Sequence, residues 1–259
     1  MPPMREALRT VAWTLASLAI FVTVWWILSM TLFNPALVPP PQQVAARAWE
    51  LVSTGRIWPD VLASLRRVYV GLIAGSVVGV VMGILIGQVK VIERLLDPVM
   101  QLMRNLSPTA MIPISIVWFG IGENSKYFLV FWGVVFFVTV NTIAGVAGTP
   151  RTRVRAARCF GASEGVIFFR IVLPSAVPYI AAGVRLGVAS AFMTIVPAEL
   201  LAAQRGVGAL LQQSSLQGQT DRMFVALAVI SLMGFLSDRL VKYLFENVWG
   251  RYTRYQSDL

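Results

Sequence analysis

The side chains that usually perform covalent or metal chemistry are scarce in this chain. It contains no histidine, and Cys159 is its only cysteine. A disulfide framework and a histidine-based metal site are therefore excluded, and Cys159 is interpreted as a reduced structural thiol. A membrane-embedded enzyme needs a convergent set of such groups, so the sequence argues against one. The chain also lacks a Gly-x-x-x-x-Gly-Lys-Ser/Thr phosphate loop, so we expect no bound nucleotide of that type and no cofactor in it.

Two charged residues, Arg185 and Glu199, fall in or beside an otherwise apolar stretch. Charges inside a membrane are costly and are functional candidates by default. A helix places these residues on one face but about 21 Å apart, so they do not pair with each other. Two interpretations stay open. Either they line a translocation path, where Arg185 attracts an anion, or they reach the membrane surface from the ends of a tilted helix.

Membrane helices must position these groups, because the composition is that of a lipid-embedded protein. Hydrophobic residues make up 57% of the chain and charged residues 13%, against roughly 25% charged in soluble domains. The mean hydropathy is +0.71. A bilayer core ~30 Å thick needs about 20 apolar helical residues. Such windows predict an all-α bundle of six spans: Val11–Leu32, Val68–Ile86, an irregular third span between Arg104 and Glu123, Tyr127–Val146, Pro178–Leu200 and Met223–Leu244.

The distribution of basic residues predicts the orientation of this bundle. The net charge is +10, and about two-thirds of the arginines and lysines fall on the side that holds both termini. We expect this side to be the cytoplasm of a bacterial cell, with cytoplasmic ends at 1–10 and 246–259 and a spanning domain at 11–245. The first span is too long for a cleaved signal peptide and is interpreted as a retained helix. Arg66 and Arg67 fall on the outer side and are expected to reach the headgroups.

Glycines at four-residue spacing mark the second span. They form one stripe on which another helix can pack closely. They are Gly71, Gly75, Gly79, Gly83 and Gly87. Because each glycine costs a helix about 1 kcal/mol relative to alanine, the stripe needs a reason. Static packing and a sliding surface between moving halves are both open. A shorter stripe of the same kind, Gly183, Gly187 and Ala191, lies in the fifth span.

The segment Asn105–Pro113 is expected to line the translocation path. Pro108 and Pro113 each remove a helical hydrogen bond, and unpaired backbone at membrane depth is tolerated only against protein or a wet cavity. Pro108, Met111 and Pro113 are therefore candidate gate residues, with a purely structural kink as the alternative. On the outer side, Pro41–Ser53 is typical of an amphipathic surface helix, and Gly206–Ser215 is typical of a loop followed by a short helix that dips back.

The segment between the fourth and fifth spans, residues 149–174, predicts a helix, a turn and a second helix. Pro150 is suited to begin the first helix, and Gly161 to end it in the left-handed conformation. Ser163 is suited to cap the second helix. Arginines lie along one side of the first helix, namely Arg151, Arg155 and Arg158. A positive-inside anchor explains these arginines but not the helix–glycine–helix arrangement.

The spacing of this segment resembles the cytoplasmic coupling loop of ABC importer permeases. The match consists of Ala156-Ala157, three residues, Gly161, nine residues, and Ile171-x-Leu173-Pro174. Other stretches resemble the nitrate, sulfonate, taurine and bicarbonate branch of that family. They are Leu37–Arg47, Ile112–Gly122, Gly161-Ala162-Ser163 and Pro197-Ala198-Glu199-Leu200. The resemblance extends from about Leu37 to Tyr243.

The resemblance implies a permease with the type I importer fold that works by alternating access. Two such subunits, expected to form a homodimer, surround one path, and two ATPase subunits contact the coupling loops. A periplasmic or lipid-anchored binding protein delivers the solute, and no nucleic acid is involved. The coupling residues implied are Arg155, Ala156, Ala157, Phe160, Gly161, Ala162, Ser163, Ile171, Leu173 and Pro174.

One residue departs from the family pattern. Arg155 occupies the position where the family carries a glutamate, so an inherited ion pair with the ATPase is in question. Either the partner carries a compensating acid or the loop docks through its shape and Phe160.

The alternative function, a secondary transporter, would show inverted repeats, and the chain has no internal repeat. The sequence leaves the solute undecided, along with homodimer versus heterodimer and the existence of a solute site within the membrane. A small anion is favoured by Arg185.

Overall fold

A computed structural model describes residues 4–32 and 34–253 of the chain. The described residues fold into eleven α-helices joined by short connections, with a π-helical turn, Phe168–Val172, between the eighth and ninth. The helices are α1 Met4–Thr31, α2 Pro41–Ser53, α3 Trp58–Gln88, α4 Lys90–Met103, α5 Ile112–Phe119, α6 Glu123–Ala147, α7 Arg151–Cys159, α8 Glu164–Ile167, α9 Leu173–Ala202, α10 Val207–Leu216 and α11 Thr220–Thr253.

Helices α3 and α6 run parallel and pack along the glycine stripe. A Cβ atom added at Gly71, Gly75, Gly79, Gly83 or Gly87 would lie 2.5 to 3.0 Å from the Cβ atom of a residue in α6. The α6 partners are Val130, Val134, Val138, Thr142 and Val146, each 59 positions later. Only glycine therefore allows this approach. The stripe packs against a helix of the same chain, which is the contact that static packing requires.

Helix α6 is held on its other side by α9, which runs in the opposite direction. Gly183 faces Asn141 and Val138, and Gly187 faces Val134 further back along α6. Helix α11 packs antiparallel to α9, with Gly234 against Phe192. The core of the bundle is therefore the layer α3–α6–α9, closed by α11. Helix α1 lies at the edge, where Trp25 stacks on Phe224 at a ring distance of 5.7 Å.

Among the described residues, five helices are long and apolar enough to cross a membrane, and they overlap the predicted first, second, fourth, fifth and sixth spans. The predicted third span is irregular as expected: between Arg104 and Glu123, only Ile112–Phe119 forms a helix. Because α3 and α6 run parallel, the chain must return along the bundle between them, and it does so in two pieces, α4 and α5. Residues 104–111 between these pieces are not helical. The return also begins earlier than predicted, at Lys90, and Pro113 lies in the first turn of α5 instead of interrupting a span.

The two ends of the bundle carry different elements. At one end, called the α10 end, lie α2, α10 and the starts of α3, α6 and α11. The opposite end, called the α7 end, carries α7, α8 and the start of α9. The amphipathic helix predicted at Pro41–Ser53 is confirmed as α2, which buries Leu51 and exposes Trp49. The short helix predicted after Gly206 is confirmed as α10, with Val207 and Leu210 buried.

Candidate coupling and translocation sites

The segment 149–174 forms the helix, turn and helix that the sequence predicts. Gly161 adopts φ +76°, the left-handed conformation. Its N–H donates to the carbonyl oxygen of Arg158 at 2.9 Å, and the N–H of Ala162 donates to that of Ala157 at 3.0 Å. This pair of bonds is a Schellman motif, which ends α7 and pairs the carbonyls of Ala157 and Arg158. Ser163 occupies the capping position of α8 as predicted, but its side chain makes no capping hydrogen bond.

The surface of this segment is solvent-accessible and basic. No residue of α7 is buried, and Phe160 at its C-terminus is 91% exposed. Arg158 donates through two nitrogens to the carboxylate of Glu164, at 2.9 and 3.2 Å, and so braces the turn around Gly161. Within the described part of the chain, Arg155 has no acidic partner. An exposed aromatic ring on a segment that also carries an unpaired guanidinium is suited to contact with a protein partner.

The coupling segment connects directly to the helices of the core. The π-helical turn Phe168–Val172 lies between α8 and α9, and Pro174 stands in the first turn of α9. Proline has no N–H for the carbonyl four residues back, so the helix is irregular just before it. Ile167 is buried, and Ile171 and Leu173 are half-buried. Helix α7 is therefore joined to α6 through residues 148–150 and to α9 through α8 and this turn.

The broken return between α4 and α5 borders a cavity of 270 Å³. Pro108 lines it, with α6 and α9 forming the opposite wall at Gly133, Ser190 and Thr194. Met111, the second candidate gate residue, is instead buried against Leu129 and Ala198. Of the three gate candidates on this segment, only Pro108 is among the residues that line the cavity. All three remain candidates, since no contact here tests gating.

Arg185 does not act as a free cation. Its guanidinium donates two hydrogen bonds to the carboxylate of Asp238 in α11, at 2.8 and 3.0 Å. Both side chains line a second cavity, between α9 and α11. The prediction that Arg185 attracts an anion therefore loses its basis, because a bidentate carboxylate already neutralises the charge.

Among the described residues, Glu199 of α9 is the most deeply buried ionisable side chain, and α3 and α10 hold it. Arg67 of α3 donates to it at 2.6 Å, and the N–H of Gly208 in α10 donates at 2.9 Å. Ser64 Oγ lies 2.8 Å from both carboxylate oxygens and accepts the N–H of Val207. Glu199 is 1% exposed, so these donors replace its lost hydration.

Arg67 joins Glu199 to a second acid at the start of α6. Two of its nitrogens donate to Glu123 at 2.7 Å each, and a third also contacts the carbonyl oxygen of Arg205 at 2.6 Å. Arg67 is 4% exposed, so the prediction that it reaches the headgroups is wrong. The buried network ties α3, α6, α9 and α10 together at the α10 end. Sequence reasoning missed it, although Arg67, Glu123 and Glu199 each stand near the same end of a predicted span.

Gly206 makes this packing sterically feasible. Its φ is +135°, and a Cβ atom there would lie 2.5 Å from the Glu199 carboxylate. Its N–H donates to Asp60 at 3.0 Å. A side chain at this position would therefore both strain the backbone and displace the acid.

Comparison with known proteins identifies the chain. Residues 75–249 match the family described as binding-protein-dependent transport system inner membrane components. The chain belongs to this family. It is therefore the permease subunit of an ABC importer and an integral inner-membrane protein, and the predicted family, fold and function class are confirmed.

Relatives with different solutes align with the permease over most of its length. It is 35% identical to the taurine transport system permease protein of Escherichia coli, over 88% of this chain and 85% of that protein. It is 33% identical to a putative aliphatic sulfonates transport permease protein of Escherichia coli, over 97% and 95%. It is 30% identical to the nitrate import permease protein of Synechocystis, over 88% and 86%.

A solved structure supports the same fold. The permease matches a chain of the methionine ABC transporter MetNI in an inward-facing conformation with a TM-score of 0.58 and 19% identity. The match covers 73% of the permease and 97% of that chain. The permease performs no covalent chemistry, because the family's ATPase is a separate subunit.

Proposed function

We propose that the permease imports a small anion of the sulfonate, taurine, nitrate or bicarbonate type. The support is the set of relatives named for taurine, aliphatic sulfonates and nitrate. Two copies of the permease, as a homodimer, form the path, and a periplasmic or lipid-anchored protein delivers the solute. Two ATPase subunits bind ATP and Mg²⁺ and drive alternating access.

The coupling segment is the proposed docking site for the ATPase. The observation that carries this proposal is the exposed ring of Phe160 on the turn that Gly161 and the Arg158–Glu164 pair hold rigid. Because Arg155 is unpaired and positive, the facing groove on the ATPase is expected to carry an acidic residue. The ring of Phe160 supplies the apolar contact with the ATPase, and the charge of Arg155 fixes the position of the segment in the groove.

The proposed orientation places the α7 end in the cytoplasm, together with both termini. The basic residues of α7 support it, because loops rich in arginine and lysine are retained on the cytoplasmic side. The start of α1 and the end of α11 lie toward this end. The α10 end, with the Glu199 network and the exposed Trp49 of α2, then faces the binding protein.

Affinity purification of the tagged permease from native membranes tests the docking proposal. A phosphate-loop ATPase is expected to co-purify, and to be lost when Phe160 is replaced by aspartate. Trp49→Asp is the matched control, because Trp49 is 74% exposed but lies on α2 at the opposite end. Recovery of the ATPase with the Phe160 variant at the level of the control would contradict the docking site. Solute uptake without ATP by the reconstituted permease alone would contradict the importer assignment.

A further inference from the structure

The cavity beside the broken return lies near the middle of the membrane. Gly133 in its wall is ten residues from the start of α6 at the α10 end, or about 15 Å along the helix axis. That is about half of a hydrocarbon core ~30 Å thick. Lipid headgroups do not reach this depth, so a polar cavity here has water or solute as its natural occupant.

The lining of this cavity is unusually polar for its depth. It includes a cation, an amide and four hydroxyls: Arg104, Asn105, Ser107, Thr109, Ser190 and Thr194. None of the described carboxylates lines it. Among the described residues, no acid forms a salt bridge with Arg104, in contrast to Arg67 and Arg185. Arg104, an exposed residue of the lining, therefore brings to the cavity a positive charge that no described acid pairs.

The break in the helix adds an unpaired donor to the cavity wall. The carbonyl oxygen of Ser107 accepts a hydrogen bond from Ala110, but the N–H of Ser107 has no acceptor in the described part of the chain. The hydroxyls of Ser107 and Thr109 lie 2.6 Å apart, so one of them donates to the other and the second keeps its hydrogen free. A free amide, a free hydroxyl and a guanidinium are the donors with which proteins bind oxoanions.

We propose that this cavity is a binding subsite for a small oxoanion with one negative charge, such as a sulfonate, nitrate or hydrogencarbonate. Arg104 attracts the anion, and the donors of Ser107 and Thr109 replace part of its hydration at membrane depth. The volume of 270 Å³ admits a solute of this size with water. The subsite deepens the proposed function and rests on it. It also replaces Arg185, which Asp238 neutralises, as the positive charge of the path.

Charge-selective labelling in the purified permease–ATPase complex tests the subsite. Cys159→Ser removes the only cysteine, and Met193→Cys then places a thiol on a cavity-lining residue that is 77% exposed. Two methanethiosulfonate reagents are compared by the rate at which they modify this thiol. One carries an anionic ethylsulfonate group and the other a cationic ethyltrimethylammonium group. The anionic reagent is expected to modify the thiol about threefold or more faster relative to the cationic one, because Arg104 attracts it. Methanesulfonate is expected to slow the anionic reagent, whereas gluconate at equal ionic strength is not.

Three variants make the result specific. Arg104→Gln is expected to abolish both the charge preference and the protection by methanesulfonate, and Arg104→Lys to retain the preference. Arg94→Gln is the matched control, because Arg94 is an exposed arginine of α4, the helix that directly precedes Arg104, and lies outside the cavity. A preference that survives Arg104→Gln, or equal effects of methanesulfonate and gluconate, overturns the subsite. The ATPase content and ATP-driven uptake of the same complex are measured separately. An intact, active importer without protection would therefore refute the subsite alone.

Discussion

Replacing Arg67 by methionine is expected to leave the Glu199 carboxylate buried with too few donors. Among the described residues, Arg67 supplies Glu199 with its only charged contact, at 2.6 Å, and the two side chains are 4% and 1% exposed. Removing one partner of such a buried pair typically costs about 3–5 kcal/mol, because the remaining charge has lost both water and its counter-ion. The loss at Glu123 is smaller, because its side chain is 45% exposed and regains hydration.

Arg66→Met is the matched control for this substitution. Arg66 precedes Arg67 in α3 but is exposed, and it makes no salt bridge within the described residues. Its replacement is expected to change the free energy of unfolding by no more than about 0.5 kcal/mol. The double variant Arg67→Met/Glu199→Gln is expected to recover much of the loss, because a neutral amide is cheaper to bury than an unpaired carboxylate.

The measurement is unfolding of the purified permease by SDS in mixed micelles, followed by the helical circular dichroism signal. The reasoning predicts a clearly lower midpoint for Arg67→Met and partial recovery in the double variant. It would be refuted if Arg67→Met were as stable as Arg66→Met. A double variant no more stable than Arg67→Met alone would also refute it, since the cost would then not arise from the unpaired Glu199 charge.

Two substitutions of glycine by alanine test the packing and the turn. Gly79→Ala is expected to destabilise the permease by about 1–3 kcal/mol in the same SDS assay, because its Cβ would lie 2.8 Å from that of Val138. Gly161→Ala is expected to strain a left-handed residue by about 1–2 kcal/mol and to lower the solute-stimulated ATPase rate of the complex. Gly165→Ala is the control for both, because a Cβ there meets no atom within 4 Å and its φ is ordinary. Gly79 or Gly161 variants that match this control would contradict the respective interpretation.

The sequence predicted those elements that depend on local composition. Predominantly apolar windows located five of the six passes, and the positions of Pro150 and Gly161 predicted the bounds of α7. The third pass was misplaced because Lys90, Arg94 and Asp97 interrupt its hydropathy; in the fold, these residues lie on α4, which exposes both polar and apolar side chains. An amphipathic helix of this kind does not appear in a search for uncharged windows.

The charged sites consist of residues that lie far apart in the sequence, and local composition does not predict which of them pair. Arg67 and Glu199 are 132 positions apart and Arg185 and Asp238 are 53 apart. Arg185 meets Asp238 because α9 packs antiparallel to α11. Arg67 meets Glu199 because α9 packs antiparallel to α6, beside α3. The sequence shows that each of these residues is a charge near a predicted span and therefore costly. Only the topology of the fold shows which residue is its partner. The same limit concealed Arg104, whose significance comes from having no partner.

The distribution of close contacts indicates how a push on the coupling segment reaches the cavity. The glycine stripe and the Arg67 network lock α3, α6, α9 and α10 into one body, because no helix in it can slide without clashes or unpaired charges. Helices α4 and α5 contact this body less extensively, and the cavity lies between the two parts. Since α7 is joined to α6 and, through the π-helical turn, to α9, a displacement of α7 moves the cavity wall at Gly133 and Ser190 as a unit. We therefore expect the non-helical residues 104–111 to absorb the change, so that the donors of the proposed subsite separate from that wall when the path opens.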